Sequence, residues 1–359
     1  METAFELGSD SFNISQFKEF ILVADIGGEN SYFAVMGVQT KKDFKIILKQ
    51  HIKTEQIKKI SDAINKILEE AHKLFHLSIS TVVIAGAGAV SRHRHKIQLT
   101  SHNLEISKEE LQKSTLLKNF VLINNFEAEG FGIDFLNKKN IIKISQADIK
   151  STITTSAILG AGHGLGASIM YYDSKKNLKV PIPSEAGHMS LPVELYFDLE
   201  FANYIKEEYF DGKPVPVSSE FAVSGKGVAL LYDFIVSKKI YGEPLLKLKN
   251  TEESEKIKRI FASKEDIYCK RAIELFVSYY AKVARNLAIA TQPYSGLFLT
   301  GKVALAAKTT INEYFMKDFL NCSIHRTRLE KIPIFLVDDN ELTLFGACNV
   351  AINFEEEFF

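Results

Sequence analysis

The apolar positions of this chain fall into short runs broken by glycine turns, with longer stretches at helical spacing between them. "FILVADIGGENSYFAVMGV" is an apolar strand, a glycine turn and a second strand with partial alternation, which predicts a β-hairpin. "DFKIILKQHIK" predicts a third strand, and "TEQIKKISDAINKILEEAHKLF" then places Ile57, Ile60, Ile64, Ile67 and Leu68 on one helical face. Two short β-branched runs follow, "STVVIAGAGAV" and "NFVLINNF", each apolar enough to be buried on both sides.

The layout then recurs without any repeat of sequence. "STITTSAILGAGHGLGASIMYYDSKKNLKVPIP" is again strand, glycine turn, strand, polar reversal and strand. A long helix is expected across "EDIYCKRAIELFVSYYAKVARNLAIA", a strand and helix start in "GLFLTGKVAL", and a strand in "IPIFLVDD". The tail "NELTLFGACNVAINF" predicts a closing helix that buries Leu342, Phe345, Ala347, Cys348 and Val350. The class is α/β, in two units that each open with a glycine-rich hairpin.

Composition narrows this picture. A chain of 359 residues exceeds the roughly 250 to 300 that one core supports, so two domains are expected. With 44 basic against 44 acidic residues there is no electrostatic reason to expect a nucleic-acid partner. Cys269, Cys322 and Cys348 are odd in number and far from metal-ligand spacing, which fits core thiols in a reducing interior. The N-terminus lacks a signal-peptide layout and no run approaches the roughly 20 apolar residues that cross a bilayer. A cytoplasmic protein without a membrane partner is the expectation.

The candidate chemistry lies at the glycine turns and the loops after them. In "ADIGGEN", Gly27 and Gly28 leave backbone N–H groups uncovered and Asp25 ends the strand where it could hold a hydrated divalent cation, a phosphate and magnesium geometry. A plain hairpin turn is the competing reading of a lone glycine pair. "LGAGHGLGAS" is denser: Gly160, Gly162, Gly164 and Gly166 alternate, so a polyphosphate could lie against backbone amides. Gly162, Gly164 and Ala167 also satisfy a dinucleotide fingerprint, with Glu185 near the expected ribose acid. That fingerprint must open a helix, whereas β-rich residues follow here. "PSEAGHMSL" sets Glu185 and His188 on one loop, and Glu220 follows in "VSSEFAVSGKG". Two acids and a histidine can clamp the vicinal hydroxyls of a polyol. A metal site is the alternative, weakened because no second histidine or acid joins them at ligand spacing. "SRHRHK" suggests a solvated basic loop.

Taken in order, "LVADIGGEN", "LTSHN", "LINNFEAEG", "LGAGHGLG", "EAGH", "SEFAVSGKG", "GLFLTGKV" and the glycine near the C-terminus resemble the motif series of the bacterial glucokinase family, within the actin-like ATPase superfamily, over residues 20–352. The resemblance implies two actin-like ATPase (ribonuclease H-like) domains, mixed sheets flanked by helices, with an interdomain cleft. An extension of residues 1–19 would precede a smaller domain of 20–136 plus 343–359, and 137–342 would form the larger one. The implied activity is transfer of the terminal phosphate of ATP, with Mg2+, to the 6-hydroxyl of glucose or a related hexose; a homodimer is left open. In the first phosphate loop Asp25, Gly27, Gly28 and Asn30 match, with Asp25 holding magnesium through water, but Glu29 stands in place of threonine. The sugar ligands would be Asn124, Glu185, His188 and Glu220. Asn125 occupies the position of the catalytic base, normally aspartate. The second phosphate loop, Gly160, Gly162 and Gly164, carries His163 for threonine, the adenosine-side turn is Gly301 and Lys302, and Ser101 stands where asparagine is usual.

Asn125 can orient the acceptor hydroxyl but cannot take its proton. Losing a general base typically costs about 10²- to 10⁴-fold in rate, and a loose transition state softens the loss because the proton leaves late. Glu29 would repel a polyphosphate unless magnesium or a lysine such as Lys302 intervened. Glu127 and Glu129 are candidate substitute bases, or simply an acidic first turn favoured by the helix dipole. Three functions follow: a glucokinase working slowly or through a substituted base, a catalytically inactive sugar-binding or regulatory protein, and a nicotinamide oxidoreductase that requires a helix after Gly166.

Overall fold

The computed structural model describes residues 5–8, 12–99, 104–182, 184–248, 251–263, 265–354 and 358. The chain divides into a first unit, Met1–Leu136, Lys175–Pro181 and Asp339–Phe359, and a second, Asn137–Ser174 and Ile182–Asp338.

The first unit is built on strands β1 (Phe5–Leu7), β2 (Glu19–Ile26), β3 (Asn30–Thr40), β4 (Asp43–Lys53), β5 (Thr81–Gly86), the short β6 (Gly88–Val90), β7 (Lys96–Leu99) and β8 (Glu105–Ser107), and β9 (Asn119–Asn124). Its main sheet runs β1-β4-β3-β2-β5-β9. Tight turns make β2, β3 and β4 antiparallel, whereas the crossover through helix Ile60–Phe75 returns the chain parallel, so β2, β5 and β9 all end at one edge. The strand from the N-terminal segment, Phe5–Leu7, pairs antiparallel with Gln50 to Leu48.

Alternate residues of β2 enter two different cores. Leu22 and Ala24 pack with Ile64 and Ile67 of the helix, while Ile21 and Val23 pack with Leu344, Ala347 and Val350 of the closing helix Leu342–Asn353. A sheet covered on both faces needs no polar alternation, which explains the continuous apolar run of "FILVADI". The closing helix also fixes helix Asn125–Gly132: a Cβ on Gly346 would lie 1.7 Å from the Ala128 carbonyl oxygen, so the two backbones approach where only glycine fits.

The second unit contains β10 (Ile141–Lys143), β11 (Ser156–Ala161) and β12 (Leu165–Asp173); β13 (Leu178–Ile182) lies mostly in residues of the first unit, and β14 (Leu297–Thr300) and β15 (Ile334–Val337) complete the set. Within the unit the order is β10-β15-β14-β11-β12. The hairpin β11–β12 is antiparallel, and β11, β14 and β15 are mutually parallel neighbours. Ala157, Leu159, Leu297, Leu299 and Leu336 join one core with Phe276, Tyr280 and Ala284 of helix Ile267–Thr291. That helix starts at Asp266, whose carboxylate accepts from the amides of Tyr268 (2.8 Å) and Cys269 (3.3 Å), an N-cap that satisfies two otherwise unpaired donors.

The same helix carries a buried charge network. Asp198 accepts from the Lys282 ammonium at 2.9 Å, the Tyr279 hydroxyl at 2.8 Å and the amides of Glu194 and Leu195 at 2.9 and 3.0 Å. Burial alone would push the Asp198 carboxyl up, but these donors outweigh it and hold it below the usual aspartate value. Arg285 pairs with Glu194 and donates to the carbonyls of Asp318 and Asn321. Cys269 and Cys348 are buried, and burial pushes the Cys269 thiol up to about 12. Among the described residues no helix is long and apolar enough to cross a membrane.

Candidate active site

In the first unit the glycine turn lies between β2 and β3. Gly27 N–H donates to Asn30 O at 3.1 Å, closing the turn, and a Cβ on Gly27 would approach that oxygen to 2.7 Å. Thr54, just past β4, holds the turn from beneath: its hydroxyl donates to Gly27 O at 2.8 Å and its amide to Glu29 O at 3.0 Å. A hydroxyl has one proton, so at the 2.8 Å contact between Ser31 Oγ and Thr54 Oγ1 it is Ser31 that donates. Glu29 is exposed at the tip. Asn30 does not project freely, since its Oδ1 accepts from Nε2–H of His51 at 2.7 Å.

Cross-strand register sets Asp25 opposite Tyr32, and Tyr32 opposite His51. Opposed residues share a face, and the Tyr32 and His51 rings are stacked with centroids 4.8 Å apart. Burial, then the Asp25 charge, holds the Tyr32 phenol above its ordinary pKa, so it remains a neutral neighbour of the carboxylate. Thr54, Tyr32 and His51 were not singled out from the sequence. The β4 periodicity carries a signal for His51, a polar residue between buried ones, but only strand pairing shows what it faces.

Asn124 and Asn125 sit at the end of β9, where Ile26, Gly86 and Asn124 lie in one row of the parallel strands. Strand spacing of about 4.8 Å sets that row about 10 Å across. Asn124 is the N-cap of helix Asn125–Gly132: its Oδ1 accepts from Phe126 N–H at 2.8 Å, and its Nδ2 donates to Gly88 O at 3.1 Å. Asn125 opens the helix, and its side chain forms no hydrogen bond with a described residue.

Two expectations are corrected here. Glu127 is not available as a substitute base, because it is buried and held bidentately by Arg94, at 2.8 and 2.9 Å. Nor is "SRHRHK" a wholly solvated loop: Arg94 adopts φ 53° and turns inward to Glu127, also donating to Leu122 O and lying over the Phe358 ring at 4.5 Å. A basic run at the surface and an inward arginine look alike until the fold brings an acid to meet it. Ser101 lies outside the described residues.

The second unit brings together the other candidate residues. β11 ends in the turn Gly162–Gly164, and Leu165 begins a strand, not a helix, which removes the dinucleotide reading. Gly160 pairs with Thr300 of the parallel β14, so the glycine turn and Gly301 leave the same end of two adjacent strands, where open α/β sheets bind ligands. Gly301 has φ 98°, and a Cβ there would meet the Ala161 carbonyl oxygen at 2.2 Å. Lys302, exposed, opens the helix Lys302–Ala306, and His163 is exposed on the glycine turn.

Glu185 and His188 flank a short 3₁₀ turn, with Glu185 Oε2 4.0 Å from His188 Nε2 and both side chains largely open to solvent. Glu220 is half-buried, and its Oε2 accepts from Leu165 N–H at 3.0 Å. The backbone of Glu220 is fixed at both sides, its amide donating to Ser218 Oγ at 3.2 Å and its carbonyl accepting from Ser224 Oγ at 2.8 Å. Gly225 N–H donates to Gly162 O at 2.9 Å, tying the S-G-K-G segment to the glycine turn. Among the described residues no three His, Cys, Asp or Glu side chains cluster to hold a metal. A magnesium ion brought in with nucleotide phosphates needs only one or two carboxylates and keeps its water, which Asp25 at a strand end fits.

A family model described as Glucokinase matches residues 22–353. The chain is 25% identical over 342 residues to a glucokinase of Nostoc sp., covering 91% of this chain and 97% of that one. It is 28% identical over 284 residues to a glucokinase of Helicobacter pylori, covering 79% and 80%. The fold is similar to that of the glucokinase from Balamuthia mandrillaris solved in complex with glucose, with TM-score 0.76, 20% identity and 93% of each chain covered. With its two mixed sheets flanked by helices in the actin-like ATPase arrangement, and a family match that runs nearly end to end, the chain belongs to the glucokinase family of sugar kinases.

Proposed function

We infer that this protein transfers the terminal phosphate of ATP to the 6-hydroxyl of glucose. The family match across residues 22–353 carries this reading, and it favours an enzyme over an inactive sugar-binding protein. Glu185, His188 and Glu220 serve as sugar ligands, because carboxylates accept from vicinal hydroxyls. Asn124 adds to them. Its structural bonds use one N–H and one lone pair, which leaves a second N–H and a second lone pair for a sugar hydroxyl.

The two glycine turns cradle phosphate, with Asp25 on the magnesium side and Gly301 and Lys302 on the nucleotide side. Magnesium, when bound with the nucleotide, neutralises phosphate charge. Asn125 orients the acceptor hydroxyl. It stands at the first position of an eight-residue helix, whose positive end favours the negative charge carried by the phosphoryl group in transfer. Proton loss is late in a loose transition state, so the transferred phosphoryl group itself can take the proton that Asn125 cannot.

The test is a coupled assay for glucose 6-phosphate at millimolar ATP, magnesium and glucose. Turnover above a no-enzyme control is expected, and mannose and an amino sugar run in parallel fix the hexose. No product with any of these sugars, alongside measurable sugar binding by calorimetry, would replace this reading with that of a sugar sensor.

A further inference from the structure

Both halves of the proposed sugar clamp approach a single residue, Leu165, which follows the glycine turn at the start of β12. The Leu165 N–H donates to Glu220 Oε2 at 3.0 Å. Its carbonyl oxygen lies where a Cβ on Gly187, between Glu185 and His188, would come to 1.9 Å. One residue earlier, a Cβ on Gly164 would lie 2.6 Å from the same Glu220 Oε2. Gly162, in the same turn, has nothing within 4 Å of its would-be Cβ. The glycines of this turn are therefore not equivalent. Gly162 faces open space, as a residue kept bare for a phosphate would, whereas Gly164 faces a carboxylate of the sugar side.

We propose that Gly164 and Leu165 are positioning residues for the sugar, holding the Glu220 carboxylate in place. A carboxylate oxygen that accepts from a fixed backbone amide keeps one direction, and the other oxygen is left to meet sugar hydroxyls. Any side chain at position 164 would displace the carboxylate or the turn. This inference rests on the reading of Glu220 as a sugar ligand.

The experiment compares steady-state kinetics of Gly164→Ala and Gly162→Ala, each with glucose and ATP varied separately. Gly164→Ala is expected to raise the glucose KM by about tenfold or more and leave the ATP KM within about twofold; Gly162→Ala is expected to spare the glucose KM. Equal effects of the two on the glucose KM, or an effect of Gly164→Ala on the ATP KM alone, would overturn the proposal. Should Gly164→Ala not fold, amide hydrogen exchange at Leu165 decides independently. Exchange should quicken in Glu220→Ala and stay slow in Glu220→Gln, which keeps an acceptor oxygen; unchanged exchange in Glu220→Ala defeats the proposal. Glu220→Ala also separates the two readings, because an unaltered glucose KM in that variant removes Glu220 from the sugar site whatever Gly164→Ala does.

Discussion

The two units of this protein each contain a glycine-rich hairpin, yet they hold it by different chemistry. In the first unit the turn rests on neutral groups: the Thr54 hydroxyl on Gly27 O, Ser31 on Thr54, and the amide of Thr54 on Glu29 O. In the second the turn is held by a carboxylate, Glu220 on Leu165 N–H. The contrast extends inward, since the second unit buries the ionised Asp198 among four donors, whereas the first buries the amide of Gln50. Neutral anchors fix a turn without biasing its charge, and a carboxylate anchor fixes it with one oxygen while its second oxygen can still accept. The first unit's inward carboxylate, Glu127, is neutralised by Arg94.

Restoring charge to the first unit should have the largest effect. If Asn125 stands at the base position, Asn125→Asp supplies a proton acceptor there, and kcat in the coupled assay should rise by about 10²- to 10⁴-fold. An unchanged kcat would mean that proton transfer does not limit this enzyme and that Asn125 is not a crippled base.

Removing charge from the second unit should come next. Asp198→Asn leaves the Lys282 ammonium buried without its counter-charge, at a cost of about 3–5 kcal/mol. The pH dependence follows from the sign of the shift. Because the folded carboxyl lies below the ordinary aspartate value, its contribution is complete above about pH 4 and fades as pH falls through the lower folded pKa. Urea melts should therefore show wild type losing stability with acid in that range, with a shallower dependence in Asp198→Asn.

Cutting the neutral anchor should be milder. Thr54→Val strips Gly27 O and Ser31 of a partner and should cost about 1–2 kcal/mol, a factor of about 5 to 30. If the first turn serves phosphate, Thr54→Val should also raise the ATP KM and leave the glucose KM unchanged. The smallest change is expected at Gln50, whose side-chain amide is fully buried with no hydrogen-bond partner among the described residues. Replacing it by leucine should raise stability by about 1 kcal/mol, and a loss on denaturant titration would indicate a polar partner for Gln50.

The sequence by itself determined the layered α/β architecture. Runs such as "FILVADI" and "AILGA" are too continuously apolar for a one-sided sheet, and the spacing of Ile60, Ile64 and Ile67 admits little but a helix covering one face. It also marked the glycine turns, because local backbone geometry demands particular residue types. Partnership between distant residues left no local mark. Arg94 within "SRHRHK" gave no sign of Glu127, 33 positions on. Nothing in the sequence marks Thr54 as the support of Gly27. Asn124 was read only as a sugar ligand, and the fold also makes it a helix cap.

Gly162 and Gly164 illustrate the same division. In sequence they are two equal members of one alternation, because spacing encodes what the backbone can do. Which of them faces open space and which faces Glu220 depends on a carboxylate 56 residues beyond Gly164. Only the tertiary structure, which packs the S-G-K-G segment against the turn, could decide it.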